Sequence, residues 1–137
     1  MLRKPSIIAM ITLCGILSVD LVVPAAAAPP SSDIVAKSDT DNDQTLSLAE
    51  VKTAAAARFD KLDKDADGTL DSKEVTNIIG PKTFKAADPD NDGTLTKDEY
   101  LALVETLFKK ADIDHDGTLS VTELKSNAAK VLRRLIQ

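Results

Sequence analysis

The sequence contains very little cysteine and histidine, and this excludes several classes of protein. Its one cysteine, Cys14, lies in an apolar N-terminal stretch, so a disulfide framework and a cysteine-based metal site or nucleophile are excluded. His115 is the only histidine, and any zinc site or Ser-His-Asp relay would depend on it. The formal net charge of −5 argues against a surface that follows nucleic-acid phosphates. The 137 residues suffice for one small domain or two half-domains.

Residues 1–27 have the layout of a secretory signal peptide. A basic start is followed by a mostly apolar stretch over 7–19 and by small residues over 24–28. We expect cleavage after Ala27, and therefore an exported protein that is periplasmic or secreted. The remaining chain carries a net charge of −6 and contains no cysteine and no methionine.

Two alternatives to a cleaved signal peptide are disfavoured. An uncleaved membrane anchor would need about 20 apolar residues, and Asp20 interrupts this stretch. A lipid-modified Cys14 would need a small residue before it, where the sequence has the bulky Leu13. We therefore expect no membrane span after cleavage.

Four similar twelve-residue stretches make up much of the remaining chain. Each has carboxylates at positions 1, 3, 5 and 12, threonine at position 7 and leucine at position 8. Four or five carboxylates in one short loop repel one another unless a cation binds between them. The stretches read DTDNDQTLSLAE from Asp39, DKDADGTLDSKE from Asp63, DPDNDGTLTKDE from Asp88 and DIDHDGTLSVTE from Asp112.

This spacing suits Ca²⁺, a hard cation that takes 6–8 oxygen ligands from side chains and backbone carbonyls. At these residues the sequence resembles the EF-hand family. The resemblance implies ligands at positions 1, 3, 5, 9 and 12, with a backbone carbonyl at position 7 and two oxygens from position 12. Those ligands would be Asp39, Asp41, Asp43, Thr45, Ser47 and Glu50; Asp63, Asp65, Asp67, Thr69, Asp71 and Glu74; Asp88, Asp90, Asp92, Thr94, Thr96 and Glu99; and Asp112, Asp114, Asp116, Thr118, Ser120 and Glu123.

Position 6 of each loop must turn sharply, which favours glycine. Loops 2, 3 and 4 have glycine there, but the first loop has Gln44. Holding glutamine at positive φ costs about 1 kcal/mol, so we expect the first site to bind calcium more weakly. His115 stands at position 4 of the last loop, and we interpret it as an exposed loop residue rather than a ligand.

The segments between loops predict an all-α fold in which some helices serve two loops. Residues 51–62 and 100–111 lack glycine and proline and carry apolar residues at helical spacing, so each predicts one continuous helix. Between loops 2 and 3, Gly80-Pro81 predicts a helix through Ile79, a break, and a short helix from Lys82.

This arrangement limits how the loops can pair. A shared helix of about 15 residues is about 22 Å long, so loop 1 cannot pair with loop 2, nor loop 3 with loop 4. Which loops do pair stays open. The predicted organisation is a flexible leader over 28–34 and a four-loop domain over 35–137, with loops at 39–50, 63–74, 88–99 and 112–123.

Apolar residues at repeated positions predict the core. The last segment, from Leu124 to Gln137, predicts a final amphipathic helix that closes the core, with a membrane-binding or partner-binding helix as the alternative. The predicted core residues are Val35, Phe59, Phe84 and Phe108 before the loops, Leu46, Leu70, Leu95 and Leu119 within them, and Leu124, Ala128, Val131, Leu132 and Leu135 in the tail.

The function expected from the sequence is calcium binding outside the cytoplasm, as a buffer, a store or a calcium-stabilised structural module. The alternative is a calcium sensor that binds a partner protein in the cell envelope. Sensors expose adaptable methionine-rich grooves, and the chain after residue 27 has no methionine. We expect no enzymatic activity and no nucleic-acid binding, and the sequence identifies no protein partner.

Overall fold

Seven helices and four short strands make up residues 30–137, the part of the chain that this computed structural model describes. The prediction of a mostly helical fold is confirmed, with strands of three residues added. The predicted signal peptide lies outside the described residues. In chain order the elements are α1 (Pro30–Ser38), β1 (Thr45–Ser47), α2 (Leu48–Leu62), β2 (Thr69–Asp71), α3 (Ser72–Val75), α4 (Pro81–Ala87), β3 (Thr94–Thr96), α5 (Lys97–Ala111), β4 (Thr118–Ser120), α6 (Val121–Lys125) and α7 (Ala129–Ile136).

The helices α2 and α5 each serve two loops, as the sequence predicts. Each is 15 residues long and begins with a capping box. In each box the N-cap is the residue at position 9 of the preceding loop, and its partner is the glutamate at position 12 of the same loop. Each ends where the next loop starts, because the first aspartate of that loop is the C-cap. The backbone N–H of Asp63 donates to the carbonyl of Phe59, and that of Asp112 to the carbonyl of Phe108.

The strands pair loop 1 with loop 4 and loop 2 with loop 3. Strand β1 is antiparallel to β4, and Leu46 stands opposite Leu119. Strand β2 is antiparallel to β3, and Leu70 stands opposite Leu95. These pairings agree with the expectation that loops joined by one helix do not pair, and they answer the question that the sequence left open. Since α2 and α5 each run from one pair to the other, the two small sheets lie at opposite ends of these helices.

A single core lies between the two sheets, around α2, α5 and α7. Phe59 and Tyr100 meet edge to face with their ring centroids 5.5 Å apart. The hydroxyl of Tyr100, which is fully buried, donates to the backbone carbonyl of Leu135 at 2.8 Å. Leu46, Leu70, Leu95 and Leu119 are completely buried, as predicted. Of the predicted aromatic anchors, Phe59 and Phe108 are buried and Phe84 is half-buried.

The connection between loops 2 and 3 differs from the prediction. Helix α3 ends at Val75 rather than Ile79, because the chain tightens into a turn in which the N–H of Ile78 donates to the carbonyl of Val75 at 2.8 Å. Gly80 is extended, as a residue before proline tends to be, and α4 begins at Pro81 rather than at Lys82. The turn brings Ile78 and Ile79 into the core.

The tail is two helices rather than one. The chain is extended at Ser126, with φ of −63° and ψ of 159°, and this separates α6 from α7. The Ser126 hydroxyl accepts the N–H of Ala129, the first residue of α7, at 3.2 Å, and so satisfies one free N–H at the start of that helix. Leu132 and Leu135 are buried against α2 and α5, which confirms the core-closing interpretation. Because of this break, the helical face that packs on the core differs from the predicted one. Ala129 is buried, and Ala128, a predicted core residue, is exposed.

The described N-terminal end is helical. The sequence predicts a flexible leader through residue 34, whereas the structure has residues from Pro30 onward in α1. Ile34 is buried, and Arg133 donates to the hydroxyl of Ser31 at 3.1 Å, which ties α1 to α7. Within residues 30–137, none of the helices has the length and apolar character to cross a bilayer.

Candidate metal sites

Each of the four loops brings three carboxylates close together. In each group, one ligand atom from every residue lies within 4.8 Å of the others. The aspartates at positions 1 and 3 of the loop belong to all four groups. The groups are Asp39, Asp41 and Asp43; Asp63, Asp65 and Glu74; Asp88, Asp90 and Glu99; and Asp112, Asp114 and Glu123.

The backbone of each loop folds around its first aspartate. The residue at position 6 has positive φ in every loop, and its N–H donates to Oδ2 of the first aspartate. These hydrogen bonds are 2.9 Å from Gln44, 3.0 Å from Gly68 and 3.1 Å from both Gly93 and Gly117. Gln44 has φ of 69°, so the expected left-handed conformation of this non-glycine residue is confirmed.

Position 4 is also left-handed in every loop, a feature that was not predicted from the sequence. Asn42, Ala66, Asn91 and His115 have φ between 56° and 61°. The available signal was asparagine at two of the four positions, since asparagine tolerates this conformation. His115 is exposed, as expected.

The other carboxylate oxygen of the aspartate at position 1, Oδ1, has different surroundings in different loops. Oδ1 of Asp88 and Oδ1 of Asp112 are buried without a hydrogen-bond partner. In loop 1, Oδ1 of Asp39 accepts from the N–H of Asn42 at 2.6 Å, and in loop 2 Oδ1 of Asp63 accepts from the N–H of Asp67 at 3.2 Å. A buried carboxylate oxygen without a donor is costly, and a hard cation satisfies it. The donor set of loops 3 and 4 therefore fits Ca²⁺ best.

The glutamate at position 12 is held differently in loop 1. Glu50 is not in the acidic group of its loop, because Thr40 donates to its Oε1 from both the backbone, at 2.6 Å, and the hydroxyl, at 2.8 Å. Hydrogen bonds from Thr40 and Ser47 lower the pKa of Glu50 to about 2. Position 2 of the other loops has Lys64, Pro89 or Ile113, none of which has a hydroxyl.

In the other loops, the glutamate at position 12 joins its acidic group. Oε1 of Glu74 and of Glu123 each accepts one backbone N–H at 2.9 Å, from position 2 of the loop. Glu99 forms no such bond, since Pro89 has no N–H. These three glutamates therefore keep more of their acceptor capacity for a cation than Glu50 does.

The predicted ligands at positions 5, 7 and 9 are mostly engaged within the loop. The threonine at position 7 starts each strand, and both its N–H and its hydroxyl donate to the aspartate at position 5, as from Thr94 to Asp92 at 2.8 Å. These bonds lower the pKa of Asp92. The residue at position 9 is the N-cap of the following helix. Among the four aspartates at position 5, only Asp43 belongs to one of the acidic groups described above, and none of the residues at position 9 belongs to any of them.

Crowding raises the pKa of the aspartate at position 3 in three loops. For Asp41 and Asp65 the largest cause is desolvation, and neighbouring carboxylates add repulsion. For Asp90 the largest cause is the neighbouring Asp88 carboxylate, to which Asp90 donates a hydrogen bond only when it is protonated. Carboxylates that resist ionisation together are the expected property of a site that is completed by a cation.

Comparison with known families agrees with this geometry. The family model described as EF hand matches residues 55–79 and 103–126, and the model described as EF-hand domain pair matches residues 70–106. Loops 2, 3 and 4 lie within these ranges, and loop 1 lies before them. No curated protein matches the chain.

Proposed function

We propose that this chain, which belongs to the EF-hand family through residues 55–126, binds calcium as a buffer, a store or a calcium-stabilised structural module. Calcium binding follows from the family, and the acidic groups of the loops are compatible with it. The observation that carries the proposal is the pair of buried, unpartnered oxygens, one on Asp88 and one on Asp112. These oxygens lie in two different loops at the same position, where a calcium ligand is expected.

We propose four calcium sites of unequal affinity, with the ligands that the sequence analysis assigns. Loops 3 and 4 should bind most tightly, since their first aspartates offer a free buried oxygen. Loop 1 should bind most weakly, because Gln44 holds a left-handed conformation and Glu50 is engaged by Thr40.

Calorimetric titration of the protein with Ca²⁺ tests this order. We expect four calcium ions per chain with dissociation constants of about 10⁻⁵–10⁻⁴ M, between those of sensors and extracellular modules. Gln44→Gly should tighten the first site. A stoichiometry of two or fewer at millimolar calcium would contradict the four-site proposal. Mg²⁺, which demands octahedral geometry, should compete poorly.

The buffer or structural role is favoured by how the loops are joined. Each shared helix leads out of one loop and into another, and the strand pairs join the halves at both ends. A helix cannot swing away from one loop without disturbing a second loop and its strand partner. Independent opening of single loops, on which sensors rely, is therefore disfavoured.

A sensor is the second candidate because an apolar groove lies between α4 and α5. It has a volume of about 420 Å³ and is lined in part by Ala87, Leu103 and Leu107. Affinity capture of partners with and without calcium separates the two roles. A partner retained only with calcium, and lost on Leu107→Asp, would support the sensor.

We infer export from residues 1–27, whose composition is that of a signal peptide. Mass spectrometry of the protein recovered outside the cytoplasm should give a chain that starts at Ala28. We also infer that the chain has no enzymatic role, since its acidic residues are mostly committed to the loops.

A further inference from the structure

Two pockets occupy equivalent places in the two halves of the fold. Loop 1 begins at Asp39 and loop 3 at Asp88, an offset of 49 residues. The α1–α2 pocket, of about 340 Å³, includes residues 50, 54, 58 and 61. The α4–α5 pocket includes residues 99, 103, 107 and 110, which are the same positions moved by that offset. The chain therefore offers one pocket geometry with two different linings.

The α1–α2 pocket has cationic side chains at two places where its counterpart is apolar, although Lys82 and Lys110 also line that counterpart. Arg58 stands in the place of Leu107, and Lys37 in the place of Ala86. Lys61 lines the α1–α2 pocket, and Lys110, at the equivalent position, lines the α4–α5 pocket. Three cationic side chains thus surround a pocket of modest size in a protein of net negative charge.

These cations have no acidic partner in the described part of the chain. Within residues 30–137, the salt bridges involve other lysines, and Lys37, Arg58 and Lys61 take part in none of them. Nε of Arg58 is buried and has no hydrogen-bond partner among the described residues. A guanidinium N–H without an acceptor is costly, so the fold leaves hydrogen-bonding capacity unused on Arg58, a residue that lines the pocket.

The one acidic side chain that lines the pocket does not supply that acceptor. Glu50 accepts two hydrogen bonds at each carboxylate oxygen, from Thr40 at Oε1 and from Ser47 at Oε2. Its charge is therefore satisfied inside loop 1. The rest of the wall is largely apolar and includes Ala54 and Ile136.

We propose that the α1–α2 pocket binds a small organic carboxylate with a short apolar chain. The carboxylate accepts from the Arg58 guanidinium and is attracted by Lys37 and Lys61, while the apolar chain contacts Ala54 and Ile136. Arginine suits this role because its planar N–H groups match the two oxygens of a carboxylate. A pocket of this volume lies at the lower end of the range for small-molecule sites. The site uses none of the calcium-loop aspartates, but Thr40 and Glu50 of loop 1 line the pocket, so it rests on the calcium proposal for the state of loop 1.

The test is a nuclear magnetic resonance titration of the calcium-saturated protein with three probes. Hexanoate has both the charge and the chain, acetate has the charge alone, and hexan-1-ol has the chain alone. We expect hexanoate to shift the Nε–H resonance of Arg58 and to bind about tenfold more tightly than either other probe. Equal affinity for hexanoate and hexan-1-ol, or for hexanoate and acetate, would overturn the proposal.

Two substitutions and a matched control locate the site. Arg58→Leu, which copies the residue of the equivalent pocket, should weaken hexanoate binding about tenfold or more. Lys61→Ala should weaken it to a lesser degree, whereas Lys110→Ala, at the equivalent place in the other pocket, should leave it unchanged. Circular dichroism confirms that each variant is folded. Unchanged hexanoate affinity in folded Arg58→Leu, or equal losses in the two lysine variants, would refute the assignment.

Discussion

Removal of calcium should strongly destabilise the domain, because two loop carboxylates are buried with one oxygen unpartnered. Asp88 is 5% exposed and Asp112 is 7% exposed, and only Oδ2 of each accepts a hydrogen bond. An unsatisfied buried acceptor costs about 1–3 kcal/mol, and more when it is charged. Without a cation, the two oxygens together therefore cost at least about 2–6 kcal/mol.

The binding equilibrium gives a similar magnitude. A site at a hundredfold excess of calcium over its Kd stabilises the folded state by about 2.7 kcal/mol, so two sites contribute about 5 kcal/mol. Typical domains are stable by about 5–15 kcal/mol, and 1 kcal/mol moves the Tm of a small domain by about 4–8 °C. We expect chelation to lower the Tm by about 20 °C or more and to reduce the helicity.

Circular dichroism melting in millimolar calcium and in excess chelator measures this difference. The double variant Asp88→Asn with Asp112→Asn is the matched comparison, since it removes the charge and keeps the shape. It should be more stable than the unsubstituted protein in chelator, and should gain less from calcium. Equal melting curves of the unsubstituted protein in the two conditions would refute the reasoning and indicate a rigid, preformed scaffold.

Three further predictions follow from the pairing, the core and the surface charges. Glu123→Gln should weaken calcium binding at loop 4 and at its strand partner loop 1 more than at loop 3, as site-resolved titration would show; a larger effect at loop 3 would contradict the pairing. Tyr100→Phe leaves the carbonyl of Leu135 without its side-chain donor, so it should destabilise by about 1–2 kcal/mol in thermal melts; an unchanged Tm would count against that bond. Hydrogen bonds from Lys109, the larger cause, and from Lys52 lower the pKa of Glu105 to about 2. The stability that ionised Glu105 contributes to the fold is therefore complete above the usual carboxyl pKa and is lost as the pH falls toward 2. The Tm difference between the unsubstituted protein and Glu105→Gln should therefore narrow on acidification, and a constant difference would exclude the linkage.

The shared helices could be predicted from the sequence because their signals are local. Residues 51–62 and 100–111 have helical spacing and no breaker, and the capping residues at positions 9 and 12 of each loop mark where the helices begin. The acidic loops are equally local, since their carboxylates follow a fixed spacing.

The loop pairing could not be predicted, because the four strands share their first two residues and differ only at position 9, where each has a short polar or acidic side chain. Thr-Leu occurs at positions 7 and 8 of all four loops, so no side chain specifies a partner. The pairing depends on the packing of α2, α5 and α7 into one core.

The errors in helix boundaries arose from local hydrogen bonds that the apolar spacing does not reveal, such as that from the N–H of Ile78 to the carbonyl of Val75. The extended backbone of Ser126, whose hydroxyl accepts the N–H of Ala129, interrupts what the apolar spacing predicts as one helix. The left-handed position 4 was missed because Ala66 carries no signal for that conformation. The difference between Arg58 and Leu107 could not be interpreted from the sequence, because only the structure shows that the two residues line equivalent pockets.

The nested pairing of the strands has a consequence for the order in which the domain can form. Strands β2 and β3 join through Leu70 and Leu95, about 25 residues apart, whereas β1 and β4 join through Leu46 and Leu119, about 73 residues apart. Closing a longer loop costs more entropy and slows folding. The inner pair should therefore form first during synthesis. The outer pair must wait until the last loop has been made, and a chain cut before β4 would leave loop 1 without its partner strand.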